Sequence, residues 1–282
     1  MNDYTVMRFQ VGEYYSPMYD TSELAKQRHR LWPAVPRETI GIDWRGKEQQ
    51  AFCREVFARH AHFDFPGTAT EDPTEYFVAN GQYPPLDAWV LEGMVRNYRP
   101  HHMIEVGCGF STLISARVNR EHLGSGMELT CIEPYPRPFL LEGISGVTGI
   151  RVEKVQDTPL NVFDSLTRDD ILFIDTSHTV KTGGDVTWIL HEIIPRLAPG
   201  VIVHIHDIFL PGEYPESWVL EGWGWNEAYL VRSFLTFNDA FEIIWGTQYM
   251  LVNHLEDVLA AFPDFQRYLA LGGASLWLRR RT

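Results

Sequence analysis

From Leu86 onward the chain alternates short, almost continuous apolar runs with stretches of helical periodicity, and this alternation limits the fold more than any other feature. The runs are His102 to Val106, Leu129 to Ile132, Ile150 to Val155, Ile171 to Ile174 and Val201 to Ile205, followed by Phe241 to Trp245, Tyr249 to Val252 and Ser275 to Leu278. Helical stretches precede or separate them at Leu86 to Asn97, Ser111 to Glu121, Asp185 to Leu197 and Trp225 to Asn238. Strands that are apolar on both faces must be covered on both faces, so the pattern predicts an α/β, Rossmann-like fold with a mostly parallel sheet between helical layers. Residues 1–85 differ: they are rich in proline, aromatics and charge, hold one helical stretch from Trp44 to His60, and break at Tyr83-Pro84-Pro85. They read as an N-terminal helical and aromatic extension or lid, with the main domain over residues 86–282.

Charge narrows the partners. Lys and Arg total 24 against 37 Asp and Glu, a formal net charge of −13, which opposes binding to nucleic acid or an anionic membrane. The one dense basic run, Arg279 to Arg281, reads as a solvated tail. Three cysteines without a C-x-x-C pair exclude a disulfide framework and a cysteine zinc site. Met1 to Tyr15 lacks the pattern of a signal peptide, and no apolar stretch approaches the ~18 residues of a membrane span. These features predict a soluble, cytoplasmic protein. Aromatic residues reach 13% of the chain, enough to line a small-molecule pocket as well as a core.

In open α/β sheets ligands sit at the carboxyl ends of the strands, and the unusual residues fall there. Glu105-Val106-Gly107-Cys108-Gly109 ends the first run, and a helix beginning near Ser111 offers free N–H groups. Glu133 follows the second run, where a carboxylate suits ribose hydroxyls, and Asp157 follows the third, within reach of an adenine amine. A dinucleotide fingerprint needs a third glycine where this chain has Thr112. That departure, with Glu105 suited to a cationic amino acid, favours S-adenosylmethionine over a nicotinamide cofactor.

The segments Glu105 to Gly109, Ile132-Glu133-Pro134, Ile174 to His178 and Pro199 to Asp207 resemble the class I S-adenosylmethionine-dependent methyltransferases, in the small-molecule O-methyltransferase-like branch. The resemblance implies a seven-stranded sheet with one antiparallel strand, closed by a hairpin from the late runs. It implies cofactor contacts at Glu105, Gly107, Gly109, Ser111, Glu133 and Asp175, and less firmly at Asp157. Enzymes of this branch often form homodimers.

The fourth and fifth runs end in Asp175-x-x-His178 and His204-x-His206-Asp207, so both sets of residues should converge beside the transferred methyl group. By resemblance, Asp175, His206 and Asp207 match the positions of a divalent metal site, although imidazole suits Mn, Fe or Zn better than Mg. Two mechanisms stay open. A metal could lower the pKa of the acceptor hydroxyl, or His178 or His206 could act as general base with Asp207 orienting the ring. His204 reads as a buried, hydrogen-bonded residue; His101, His102 and Lys181 read as surface residues. The proline- and aromatic-rich stretch from Ile208 to Trp225 reads as a lid, with Tyr14, Tyr15, Tyr19 and Trp32 closing from the other side. The predicted activity is methyl transfer to a small-molecule hydroxyl, such as that of a sugar, polyol or natural product. N- or C-methylation and a non-catalytic cofactor-binding module are the alternatives.

Overall fold

The computed structural model describes residues 8–36, 38–60 and 62–282; the first seven residues of the stretch read above for a leader lie outside them. Seven strands form one sheet: β1 His102–Val106, β2 Glu128–Ile132, β3 Gly149–Arg151, β4 Ile171–Ile174, β5 Ile202–Ile205, β6 Phe241–Gly246 and β7 Leu276–Arg280. Their order is β3-β2-β1-β4-β5-β7-β6, and β7 alone runs antiparallel to its neighbours. The order reverses between β1 and β4, which opens a crevice beyond their carboxyl ends.

The central strands are mostly apolar because they feed two cores. Met103, Leu129, Ile171 and Ile202 join one hydrophobic cluster, while Ile104, Ile132, Leu172 and Val203 join the other. The helices Pro85–Tyr98 and Phe110–His122 cover the first face; the stretch 185–196 and the helix Glu227–Leu235 cover the second. Pro85 sits at the first helical position, where its missing N–H costs nothing.

The N-terminal region supplies part of the first core. Cys53, Phe57, Phe63, Phe65, Tyr76 and Tyr83 are buried in the same cluster as the helix Pro85–Tyr98. At Gly93 a Cβ would lie 2.5 Å from Phe57, so glycine there lets the Phe57 ring pack onto the helix. By contrast, the helices Thr21–Lys26 and Arg28–Leu31 bury no side chain.

Three sequence expectations are corrected. Tyr249 to Val252 lies in a helix, Thr247–Asn253, so the sheet closes with β6 and β7 alone. The two alternatives share apolar composition, and the contacts of Met250 with the core decide for helix. The third strand stops at Arg151 rather than Val155. Arg279 and Arg280 belong to β7 instead of a free tail: Arg279 lies over the Tyr98 ring, and Arg280 donates to the carbonyls of Pro195 and Leu197. Among the described residues no helix is long and apolar enough to cross a membrane, and all three cysteines are free.

Candidate functional site

Gly107 follows β1 with φ +80°, and a Cβ there would lie 1.7 Å from the carbonyl oxygen of Asp175. Only glycine lets the turn after β1 cross the end of β4 so closely. The turn leads into the helix at Phe110, and Gly107, Gly109, Ser111, Glu133 and Asp175 together line a small hollow of about 180 Å³. That hollow shares Gly107, Glu133, Asp175 and Thr176 with a groove of about 440 Å³ that continues past Lys154, Gln156 and Lys181. Lys181 is exposed, in line with its reading as a surface residue, and also borders the groove.

Glu133 is held in place by the backbone. Its two carboxylate oxygens accept from the N–H groups of Cys108 at 3.0 Å and Tyr135 at 2.8 Å, and each oxygen keeps a lone pair for a further donor. Glu105 is fully buried on β1. Its Oε1 accepts from Ser111 Oγ at 2.6 Å and Thr112 Oγ1 at 2.9 Å, while its Oε2 has no partner. Burial pushes this carboxyl up to about 8, against two hydrogen bonds that favour its charge. Asp157 does not reach the groove: it is exposed, because the third strand ends early, and Gln156 takes the lining position.

The ends of β4 and β5 bring together Asp175, His178 and Asp207, whose ligating atoms lie within 4.8 Å of one another. His178 Nε2 is 3.2 Å from Asp175 Oδ1 and 3.5 Å from Asp207 Oδ2. Its Nδ1 lies 2.9 Å from Glu227 Oε2, which also accepts from Thr176 Oγ1 at 3.0 Å. Glu227 begins a later helix, is buried, and was not singled out from sequence; an acid at a helix start is too common to mark a site by itself. His178 and Asp207 both hold φ of 54°, a left-handed conformation rare outside glycine.

Burial alone would keep His178 neutral, yet its contacts with Asp175 and Glu227 raise its pKa well above the ordinary value. Burial raises the pKa of Asp207, with His206 and His178 opposing. For Asp175 burial is outweighed by His206 and His178, so its pKa falls.

His206 does not join this group. Its Nε2 stands 3.7 Å from Asp207 Oδ1, and its ring packs against Tyr83 and lies 5.7 Å from the ring of His204. Alternation along β5 turns both rings toward Tyr83, Phe173 and Trp277 of the first core, which corrects the expectation that His206 joins Asp175 and His178. His204 is buried but stacked 3.9 Å from Phe173, with no partner for either ring nitrogen, rather than hydrogen-bonded.

Beside Asp207 lies a cavity of about 540 Å³ walled by Tyr83, Pro84, Phe209, Trp218, Tyr268 and Leu271. It shares Gln82 and Tyr83 with the small hollow. The stretch after β5 thus contributes Phe209, Pro215 and Trp218 to the wall, and Trp218 stacks on Trp223 at 4.4 Å. From the N-terminal side, Trp32 Nε1 donates to Tyr214 O and Tyr19 Oη accepts from Gly224 N, so both touch that stretch. Tyr14 and Tyr15 are exposed, and among the described residues their ring contacts are with each other and with Phe9.

Residues 104–208, from β1 to just past Asp207, match the model of a family described as a methyltransferase domain. A protein of Archaeoglobus fulgidus described as uncharacterized is 31% identical over 163 residues, 56% of this chain and 73% of the relative. Among solved structures, the O-methyltransferase TomG of Streptomyces achromogenes, in complex with S-adenosylmethionine, is 16% identical. The match covers 93% of this chain and 96% of that one, with a TM-score of 0.41. The O-methyltransferase of Bacillus cereus with S-adenosylhomocysteine is 12% identical over 92% and 97% of the two chains, also at 0.41. A sheet that reverses its order between β1 and β4, in a chain whose matched segment spans the strands on both sides of that reversal, makes this protein a member of the class I S-adenosylmethionine-dependent methyltransferases.

Proposed function

We propose that the protein transfers a methyl group from S-adenosylmethionine to the hydroxyl of a small molecule. The observation that carries this reading is the continuity of three hollows. A polar groove at Glu133 joins the glycine turn, which joins an apolar cavity with Asp207 in its wall. The residues present fit the cofactor. The unpartnered Oε2 of Glu105 would accept from an ammonium group, and the free lone pairs of Glu133 would accept from ribose hydroxyls. When bound, S-adenosylmethionine supplies a methyl group on a sulfonium, an electrophile that needs a nucleophile placed in line.

The chain's own residues then handle the proton. Asp207 lines the acceptor cavity, and its raised pKa makes its carboxylate a better proton acceptor than an exposed aspartate. His178, pinned by Asp175 and Glu227, would stay charged and favour the alkoxide or phenolate that forms beside it. This assigns base chemistry to Asp207 and an electrostatic role to His178; His206 becomes a packing residue next to Asp207. A second reading rests on the same group: Asp175, His178 and Asp207 offer two carboxylates and one imidazole, with Glu227 orienting the ring, and a divalent cation held there would acidify the hydroxyl.

The test is calorimetric titration with S-adenosylhomocysteine, followed by methyl-transfer assays on Asp207→Asn. Micromolar binding is expected in both proteins, with turnover reduced by about 10²–10⁴-fold in the variant. Full turnover in Asp207→Asn would remove the chemistry from this end of β5, and no binding by the wild type would overturn the reading.

A further inference from the structure

The cavity beside Asp207 says what kind of acceptor it takes, and a second hollow says how that acceptor extends; both points rest on reading this cavity as the acceptor site. Among the described residues lining the cavity there is no Lys, Arg or His, and Asp207 is its one carboxylate. An anionic acceptor would find no countercharge and would meet the Asp207 charge. A sugar or polyol would need several polar partners. The wall has few to give: Gln82 Oε1 already accepts from Arg137, and the Tyr83 hydroxyl points to the Asp87 carbonyl. What remains is aromatic and aliphatic surface with three scattered polar points, the Gln82 amide N–H₂, Trp218 Nε1 and the Tyr268 hydroxyl, which fits an uncharged, mainly apolar body with one hydroxyl near Asp207.

The cavity does not stand alone. Val78 and Tyr268 also line a separate hollow of about 490 Å³ on the far side, bordered by Trp89, Phe262, His60 and His62, with Asp64 and the mutually paired Asp264 and Arg267 on its rim. His62 is packed with its ring 4.7 Å from Phe262, its side chain only 13% exposed. Neither of its ring nitrogens has a hydrogen-bond partner, and the nearest carboxylate oxygen, Glu92 Oε2, is 3.8 Å from Nδ1. A buried imidazole with two unsatisfied nitrogens at the edge of a hollow of mixed aromatic and polar lining is a group waiting for a donor or acceptor.

We propose that the acceptor is a neutral, elongated hydroxy compound whose apolar body fills the cavity beside Asp207 and whose far end passes Val78 and Tyr268 to place a hydroxyl or carbonyl at His62. His62 then sets chain-length specificity while taking no part in methyl transfer.

The experiment uses the full chain saturated with S-adenosylhomocysteine, titrated calorimetrically with 4-(ω-hydroxyalkyl)phenols of increasing chain length, and with inositol. Affinity should rise at least about tenfold along the series as apolar surface is buried, and inositol should not bind. His62→Phe keeps the ring volume and removes the nitrogens. It should weaken the longest members by about fivefold, the worth of one neutral hydrogen bond, and leave the shortest unchanged. Val78→Trp should block the passage and make affinity level off at short chains. A flat series in the wild type, an equal loss at every length in His62→Phe, or tighter binding of inositol than of the phenols would each overturn the proposal. Absence of S-adenosylhomocysteine binding by the wild type would instead overturn the cofactor reading. The phenol series, titrated without it, would still judge the cavity.

Discussion

Glu105 shows how much one side chain can reveal once its surroundings are known. In sequence it is an acid before a glycine turn. In the structure it is a buried carboxyl with one oxygen engaged and the other unmet, and its pKa rises from 4.5 to about 8. The folded chain therefore holds a proton between about pH 4.5 and 8 that the unfolded chain has lost. Stability of the cofactor-free protein should fall as pH rises through that window, by on the order of 5 kcal/mol. Glu105→Gln, neutral at every pH, should flatten the decline in melting temperature while weakening S-adenosylhomocysteine binding at least about tenfold. Saturation of the wild type with S-adenosylhomocysteine should also flatten it, since an ammonium group would meet the free oxygen. A decline that persists in Glu105→Gln would place its origin elsewhere.

At the scale of elements, the ends of β4 and β5 build the Asp175–His178–Asp207 group, a helix start adds Glu227, and on the second, metal-assisted reading the donor set would rank the metals. Mn²⁺, Fe²⁺ or Zn²⁺ should raise the melting temperature of EDTA-treated protein more than Mg²⁺ does, and Asp207→Asn should cancel the increment. An unmoved melting temperature with all four ions would assign the group to metal-free proton transfer. A second junction ties helix to sheet. Asp87, fully buried on the helix Pro85–Tyr98, accepts from Thr247 Oγ1, Ser275 Oγ and the N–H groups of Ala274 and Ser275. Asp87→Ala would leave these donors unpaired at the crossing of β6 and β7. Urea denaturation should show a loss of about 3 kcal/mol, and a loss below about 1 kcal/mol would mean that water replaces the carboxylate.

For the whole molecule, the question is where the folding unit begins. The proposed main domain over residues 86–282 loses Phe57, Phe63, Phe65 and Tyr76 from its first core if the preceding residues are removed. Deletion of residues 1–84 should abolish the cooperative thermal transition. Deletion of residues 1–36 removes two helices that bury nothing, and should cost only a few degrees while lowering turnover through the lost Trp32–Tyr214 contact. A cooperative transition after deletion of residues 1–84 would restore an independent domain beginning at Leu86.

The sequence by itself determined the sheet-and-helix alternation, the glycine turn after β1, the acid after β2 and the convergence of the β4 and β5 ends, to which it also assigned His206 beside Asp175, His178 and Asp207. All of these follow from local periodicity and from the rule that strand ends in a parallel sheet meet. Tertiary structure decided what periodicity cannot encode. Tyr249 to Val252 became a helix because from that state Met250 is buried in the first core while Val252 stays exposed. His206 turned toward Tyr83 and His178 toward Asp175 and Glu227, because one follows the pleat of β5 while the other sits in a left-handed turn after β4. Glu227 reached His178 across 49 positions of sequence, a distance that only the packing of its helix on the sheet closes.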